Sequence, residues 1–137
     1  MYKIFLISGV SGAGKTTVMR EVLKDSSLNL KFLPSYTTRQ PRDTDVQGEY
    51  LFVTKDEFER KVWSDMLLEY EKVHGNYYGI DKKMFFEVLA KSNVAKDIDV
   101  RGALKFRSMY SDMSVLIFIT SDFTTYPLWS LPIAIFT

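Results

Sequence analysis

The segment GVSGAGKT at positions 9–16 limits the fold of this chain more than any other feature. It satisfies the pattern G-x-x-x-x-G-K-[S/T], in which a glycine-rich backbone wraps around a phosphate group. The pattern binds phosphate where it joins a strand to a helix, because the amide groups of the helix N-terminus then face the anion. Residues 3–8 form a β-branched and aromatic run, so we predict a buried strand, the loop, and a helix over residues 15–24. The apolar residues that recur at helical spacing in this helix are Val18, Met19, Val22 and Leu23.

The loop predicts binding of ATP or GTP. Lys15 would reach the β and γ phosphates, and the hydroxyl of Thr16 would hold Mg²⁺. An ordinary glycine turn is the alternative, which the flanking strand and helix disfavour. The candidate ATP-binding residues are Gly9, Ser11, Gly12, Ala13, Gly14, Lys15, Thr16 and Thr17.

Length and composition exclude several classes of protein. With 137 residues, the chain is long enough for one α/β domain and too short for two typical ones. A net charge of +1 gives no bulk attraction to nucleic acid or to an acidic membrane. The chain has no cysteine and His74 is its only histidine, which excludes disulfides and sites built on thiolates or several histidines. Its terminal apolar runs are shorter than the roughly 20 residues that span a bilayer. We therefore expect a cytoplasmic enzyme that binds neither nucleic acid nor membrane.

Strands alternate with helices along most of the chain, which indicates an open and mainly parallel sheet flanked by helices. We predict one α/β domain over residues 1–137 with the P-loop NTPase fold, its core at 1–33 and 81–120, a β-rich insertion at 34–80 and a tail at 121–137. The elements predicted after the first helix are strands at 30–36 and 50–53, a helix from a T-x-x-E capping box at Thr54 to about Asp65, two strands meeting at Gly75-Asn76, a helix capped by Asp81, a weak strand at 95–100, a helix at 102–110, and strands at 115–120 and 131–136.

The segment SYTTRQPR at positions 35–42 is a candidate site for a second anion. A phosphoryl transferase must hold its acceptor in line with the γ phosphate of the donor. Arg39 and Arg42 can clamp a monophosphate through charge-assisted hydrogen bonds, and Pro41 keeps the chain between them extended. Tyr50 and Tyr78 are candidate phenol donors to the same anion. A solvated basic loop is the alternative that these residues leave open.

Glu69 supports a prediction about the acceptor base. A carboxylate accepts hydrogen bonds from both N1 and N2 of guanine, whereas adenine presents an acceptor at N1 and leaves the carboxylate unpaired. A buried Glu69, together with Ser35 beside the arginines, would therefore favour guanine. Surface charge within EYEK is the alternative, because glutamate is seldom buried.

Asp97 and Asp99 are two positions apart, so on a strand both would point to one face. There they would orient Mg²⁺-bound water and donor groups of the acceptor. Capping of the helix that begins near Arg101 is the alternative for Asp99. We predict His74 to be a strand residue near a turn, and the aromatic residues predicted to lie in the core are Trp63, Phe85 and Phe86.

Taken together, these motifs resemble the guanylate kinase family over residues 1 to about 120. The matching segments, in order and spacing, are GVSGAGKTT, SYTTRQPR, DVQGEYLFV, the EF of DEFER, Glu69 with VHGNYYG, and DIDVRGALKFR. The resemblance implies phosphorylation of GMP or dGMP by ATP with Mg²⁺, through direct in-line transfer. It implies catalytic roles for Lys15, Arg39 and Arg42, Mg²⁺ contacts at Thr16 and, through water, Asp99, and GMP contacts at Ser35, Arg39, Arg42, Tyr50, Glu69, Tyr78, Asp97 and Asp99.

The sequence departs from the family pattern at three places. Ile80 stands where the family has a serine or threonine that contacts guanine, so we expect weaker guanine binding. The interval from Gly48 to Tyr50 is one residue short, which would shift Tyr50 out of register with the phosphate. After about residue 120, the chain reads SDFTTYPLWSLPIAIFT, with no lysine or arginine after Arg107, where the family has an arginine-bearing lid. We expect slow transfer unless the tail or a second subunit replaces that lid.

Three functional hypotheses remain at this stage. The first is a guanylate kinase, and the second is a guanylate kinase-like module that binds nucleotide or a protein partner with negligible turnover. The third is a nucleotide kinase for another acceptor, which Ile80 suggests and Glu69 disfavours. An apolar strand at 131–136 would also lie at a sheet edge and favour oligomers.

Overall fold

Nine strands and four helices are formed in the part of the chain that the computed structural model describes, residues 1–9, 14–119 and 133–136. The helices are α1 (Lys15–Leu23), α2 (Lys55–Trp63), α3 (Lys82–Leu89) and α4 (Val100–Met109). The strands are β1 (Ile4–Gly9), β2 (Leu30–Phe32), β3 (Ser35–Thr37), β4 (Tyr50–Phe52), β5 (Leu67–Val73), β6 (Asn76–Asp81), β7 (Asn93–Asp97), β8 (Ser114–Ile119) and β9 (Ile133–Phe136). A five-stranded sheet has the order β2-β7-β1-β8-β9, and a four-stranded sheet has the order β4-β3-β6-β5. The predicted α/β class is confirmed.

The five-stranded sheet has β1 at its centre and helices on both faces. β1 is parallel to β7 and β8, β2 is parallel to β7, and β9 is antiparallel to β8 at the edge. Side chains of β1 alternate between two apolar clusters, in which Leu6 packs with Phe85 of α3 and Phe106 of α4, and Ile7 packs with Met19 of α1. Because helices cover both faces, β1 is a nearly continuous apolar run.

The four-stranded sheet is formed between residues 35 and 81. Strand β3 lies inside this sheet, where it pairs in parallel with β4 on one side and antiparallel with β6 on the other. Helix α2 covers this sheet through Phe58, which is buried and stacks on Tyr77 with the ring centroids 5.4 Å apart. The sheet therefore has an apolar contact of its own with α2.

Two predicted helix starts are confirmed. The Thr54 hydroxyl accepts a hydrogen bond from the Glu57 amide, and the Glu57 carboxylate accepts one from the Thr54 amide, which completes the capping box of α2. Asp81 caps α3 by accepting from the Met84 amide at 2.8 Å. These short-range contacts depend on sequence spacing alone, so the sequence predicts them well.

The single strand predicted at 30–36 is wrong. The chain forms β2 in the larger sheet and β3 in the smaller sheet, with Leu33 and Pro34 between them. Leu33 is fully buried in the cluster under α3, and its amide donates to the carbonyl of Ala95. Pro34 has no amide hydrogen to donate, so a ladder cannot continue through it. The break lets one segment of sequence serve both sheets.

The β5–β6 turn was predicted at Gly75-Asn76 but lies one residue earlier. His74 and Gly75 have φ angles of +48° and +82°, and Val73 pairs with Asn76. Two consecutive positive φ angles are typical of the tight turn whose twist matches a hairpin. His74 is therefore a turn residue, and its predicted place in a strand is wrong.

Several predicted core residues are exposed. Trp63 is 88% exposed because it occupies the last residue of α2, beyond the face that Phe58 buries. Phe86 is about half exposed, whereas its neighbour Phe85 is fully buried. In α1 only Met19 is buried, and Val18 and Val22 point partly to solvent. A short helix over one sheet face buries a narrow stripe, which apolar composition alone does not locate.

The predicted strand at 131–136 is present as β9 over Ile133–Phe136, and residues 131 and 132 lie outside the described residues. It lies at the sheet edge, antiparallel to β8. Within the described ranges, no helix has the length and apolar character needed to cross a bilayer.

Candidate functional site

The residues that flank the predicted phosphate-binding loop lie at the end of β1 and the start of α1. Gly9 ends β1, and a Cβ on it would stand 2.1 Å from the carbonyl oxygen of Ile119, so only glycine fits between β1 and β8. Gly14 precedes α1 with a φ of +91°, a left-handed conformation that glycine adopts without strain. Lys15 donates from Nζ to the Gly9 carbonyl at 2.9 Å, so its side chain points back to the end of β1. Thr16 and Thr17 are exposed in the first turn of α1. Ser11, Gly12 and Ala13 lie outside the described residues.

Asp97 is the last residue of β7, next to β1 at the carboxyl edge of the sheet. The ends of parallel strands at this edge are where open α/β sheets bind ligands. Burial would raise the pKa of Asp97, but the Lys96 ammonium, at 2.8 Å, and the nearby Lys15 together hold that pKa below its usual value. An ionised carboxylate therefore lies near Lys15, which follows the glycine-rich loop.

Lys96 is a residue that the sequence analysis missed. Its side chain is 2% exposed, and its ammonium lies 5.1 Å from the Phe32 ring centroid while donating to Asp97. A buried lysine is seldom found without a charged partner. The lysine directly after the apolar pair Val94 and Ala95 could have drawn attention to it, although the pattern does not say which carboxylate it meets.

Arg39 lies in the loop after β3 and is only 8% exposed. Its Nη1 and Nη2 donate to the two oxygens of Asp45 at 3.2 and 2.8 Å, and Nη1 also donates to the Gln40 carbonyl. The guanidinium carbon lies 4.9 Å from the Tyr50 ring centroid and 5.4 Å from that of Phe52. Arg39 is thus held on several sides.

Tyr50 and Tyr78 are brought together beside Arg39. Their ring centroids are 6.2 Å apart in an edge-to-face arrangement. Burial of the Tyr50 hydroxyl and, to a smaller extent, the charge of Asp97 raise the pKa of Tyr50 to about 12. The hydroxyl therefore keeps its proton and can donate. Tyr50 pairs with Ser35 across β3 and β4, and Ser35 is buried at this junction. The short interval after Gly48 leaves Tyr50 in this cluster.

Arg42 takes part through its backbone. Its side chain is exposed, and its amide donates to Oδ2 of Asp45 at 2.6 Å. The structure therefore brings Arg39, Tyr50, Tyr78 and Ser35 together and leaves the Arg42 guanidinium toward solvent. Asp45, which holds both arginines, is absent from the residues that the sequence predicts, because its role depends on how the loop after β3 folds back on Arg39.

Glu69 is buried on β5, with 7% of its surface exposed. Within the described residues, its Oε1 has no hydrogen-bond partner. Burial raises the pKa of Glu69 to about 7, opposed by the positive charge of Lys105. An irregular register next to Leu68 pairs Glu69 with Ile80, whose side chain is buried in the core. A buried acceptor without a partner is costly unless a ligand satisfies it.

The prediction that Asp99 lies on a strand is wrong. β7 ends at Asp97, and Asp99 caps α4 by accepting from the Gly102 amide at 3.0 Å. Its other oxygen faces Nε of Arg101 at 3.5 Å. The segment DID at 97–99 leaves little room for a strand to continue, because helix α4 begins at Val100. An aspartate just before a helix accepts hydrogen bonds from the free amides of its first turn.

No group of three or more metal-ligating side chains occurs within the ranges that the structure covers. Magnesium that arrives with a nucleotide needs only one or two protein oxygens, because phosphates and water complete its shell. The exposed Thr16 hydroxyl and the ionised Asp97 fit that requirement, whereas both Asp99 oxygens are engaged.

Comparison with known proteins gives consistent results. A sequence model described as guanylate kinase matches residues 1–125. The guanylate kinase of Clostridium tetani is 44% identical over 118 residues, covering 85% of this chain and 55% of that protein. The guanylate kinase of Fusobacterium nucleatum is 39% identical over 121 residues, covering 87% of this chain and 64% of that protein. The chain thus spans between about half and two thirds of these relatives.

A solved structure is similar as well. The crystal structure of guanylate kinase from Anaplasma phagocytophilum superposes with a TM-score of 0.74 at 32% sequence identity. The match covers 86% of this chain and 60% of that one. It supports the P-loop NTPase architecture that the loop and the parallel sheet predict.

Proposed function

Because the chain belongs to the guanylate kinase family, we propose that it transfers the γ-phosphoryl group of ATP to GMP or dGMP. The observation that most favours this acceptor is the buried Glu69 with its unpartnered Oε1. Guanine N1–H and N2–H would satisfy this carboxylate, and adenine would leave it unpaired. The alternative of a surface glutamate does not agree with its burial.

The acceptor phosphate would lie beside Arg39, Tyr50 and Tyr78. Arg39 supplies fixed charge, and the neighbouring Tyr50 phenol keeps its proton and can donate. Arg42 would turn its exposed guanidinium toward the same phosphate, and Ser35 would contribute a hydroxyl from the β3–β4 junction. We assign the GMP contacts to these residues and to Glu69 and Asp97.

The donor phosphates would lie in the loop that Gly9 and Gly14 delimit. Lys15 would leave the Gly9 carbonyl and bind the β and γ phosphates, while Ser11, Gly12, Ala13, Thr16 and Thr17 complete the ATP site. Mg²⁺ would neutralise charge on those phosphates, held by the Thr16 hydroxyl and, through water, by Asp97 in preference to Asp99.

Asp97 would connect the two halves of the site. Its charge acts on both Lys15 of the donor loop and Tyr50 of the acceptor cluster. The two anion sites would then lie on either side of one carboxylate, an arrangement that suits in-line transfer without a covalent intermediate. Lys15, Arg39 and Arg42 would contact the reacting phosphates.

We also propose that the chain folds as one domain, with the segment 34–80 as the insertion that binds the acceptor. We propose the cytoplasm as its location, because both nucleotides are dissolved there.

The main test is ADP release from ATP and Mg²⁺ by the purified 137-residue chain, with Lys15→Ala as the blank. We expect release that depends on GMP, and a rate within the range of about 1–100 s⁻¹ that is typical of kinases would mean that the tail or a second subunit replaces the lid. ADP release that UMP or AMP stimulates as much as GMP would contradict GMP as the acceptor. ADP release equal to that of the Lys15→Ala blank would contradict phosphoryl transfer by this chain.

A further inference from the structure

Asp45 makes three hydrogen bonds to the two arginines of the acceptor site. Oδ1 accepts from Nη2 of Arg39 at 2.8 Å, and Oδ2 accepts both from Nη1 of Arg39 at 3.2 Å and from the Arg42 amide at 2.6 Å. The Asp45 amide in turn donates to the Arg42 carbonyl at 3.0 Å. One side chain thus fixes the guanidinium of Arg39 and the backbone of Arg42 relative to each other.

The Arg39 guanidinium has two edges that can each bind an oxyanion through a pair of N–H groups. Asp45 takes the edge formed by Nη1 and Nη2, and the Gln40 carbonyl takes the remaining hydrogen of Nη1. Within the described residues, Nε and the second hydrogen of Nη2 donate to no acceptor. These two donors form the other edge, which remains available for a phosphate.

The rings of Tyr50 and Phe52 restrict the same guanidinium from the side. Both residues belong to β4 and are two positions apart, so they share one face of the strand, and each ring centroid lies within 5.4 Å of the guanidinium carbon. With the rings and Asp45 in place, a rotation of Arg39 would break either a stacking contact or an ion pair. The direction of its free edge is therefore set before any ligand arrives.

We propose that Asp45 is a positioning residue of the acceptor site, which orients Arg39 and Arg42 so that their free donors meet one phosphate. The inference rests on the proposed function. Its physical basis is preorganisation, since a guanidinium already held in its bound direction loses less freedom when the phosphate binds. Asp45 also neutralises a buried arginine that would otherwise be costly to desolvate.

The opposite hypothesis is that Asp45 competes with the phosphate for Arg39. Removing the charge of Asp45 would then strengthen GMP binding, because a like charge near the phosphate disappears. Under the positioning hypothesis the same change weakens GMP binding, although simple charge repulsion predicts the reverse. The sign of the effect separates the two hypotheses.

The experiment is calorimetric titration of GMP into the 137-residue chain and three variants. Asp45→Asn keeps the shape of the side chain and removes its charge, and Asp45→Glu keeps the carboxylate. Asp43→Asn is the matched control, because Asp43 is an exposed carboxylate in the same loop. We expect Asp45→Asn to weaken GMP binding about tenfold, Asp45→Glu to recover part of this loss, and Asp43→Asn to change it less than about twofold.

Guanosine is the second ligand, titrated by NMR, because it has the base and lacks the phosphate. A positioning role predicts that Asp45→Asn leaves guanosine affinity unchanged, which also shows that the variant is folded. Equal or tighter GMP binding by Asp45→Asn, or an equal loss for guanosine, would overturn the proposal and leave the proposed function intact. Wild-type protein that binds GMP no better than guanosine would overturn both.

Discussion

Glu69 gives a prediction about stability in the absence of nucleotide. Burial raises its pKa from an ordinary value of 4.5 to about 7. An acid whose pKa is higher in the folded state is easier to ionise when unfolded, so its contribution to stability is complete below about pH 4.5 and is lost as the pH rises through 7. Each pH unit between the two pKa values corresponds to about 1.4 kcal/mol. The wild-type protein should therefore lose stability over this range because a buried carboxylate is being ionised.

The perturbation is Glu69→Gln, whose side chain is neutral at every pH. We expect the free energy of unfolding of this variant, relative to wild type, to increase by about 2.5 kcal/mol between pH 5 and pH 8. The assay is urea denaturation of both proteins at the two pH values, with unchanged slopes as the check that the unfolded states are comparable. Glu59→Gln is the control, because Glu59 is exposed on α2.

A difference between wild type and Glu69→Gln that is the same at pH 5 and pH 8 would refute this reasoning. It would mean that Glu69 titrates with its ordinary pKa and is hydrated in the folded protein. The expected result would instead show that the chain retains a destabilising carboxylate in its interior. Such a group is typical of a site built for a ligand.

Two further predictions concern the fold. Phe85→Ala should reduce the free energy of unfolding by about 3–5 kcal/mol, because Phe85 is fully buried between α4 and the sheet. Trp63→Ala should change that free energy by less than about 0.5 kcal/mol. Similar losses for the two variants in chemical denaturation would contradict the core as described. Gly9→Ala should reduce the free energy of unfolding more than Gly14→Ala, because the Cβ at position 9 would meet the Ile119 carbonyl. The Cβ at position 14 would meet no atom of the described residues within 4 Å and would add only about 1–2 kcal/mol of backbone strain. Equal losses would show that β1 and β8 can separate to admit a methyl group.

The sequence predicts the parts of the fold that depend on local chemistry. Thr54 with Glu57, and Asp81, locate helix starts because capping acts over three residues. The glycine-rich loop predicts the strand before it and the helix after it, since phosphate-binding geometry requires both. From these local patterns follow the α/β class and the order of most elements.

The sequence does not predict contacts that depend on the closed chain. Lys96 and Asp97 are neighbours on β7, yet only the packed sheet shows that the lysine is buried and paired with that aspartate. Asp45 meets Arg39 because the loop folds back, and nothing in the spacing fixes that approach. Asp99 shows the converse error, because alternation on a strand was expected where helix capping prevailed.

The break between β2 and β3 has a similar cause. Leu33 is buried against the larger sheet and the next strand belongs to the smaller one, whereas the segment 30–36 taken alone predicts a single strand. Pro34 is the local signal that could have divided it. Burial of Trp63 was likewise expected from residue type, although its position at the end of α2 leaves it exposed.

The measurement that most directly tests the central claim is the ratio of kcat/KM for GMP to that for AMP, in wild type and in Glu69→Gln. If the buried carboxylate recognises guanine, wild type should prefer GMP strongly, and Glu69→Gln should reduce that preference about a hundredfold, mainly through a higher KM for GMP. Glu59→Gln should leave the ratio unchanged. A ratio that is the same in wild type and Glu69→Gln would remove Glu69 from the acceptor site and contradict the account.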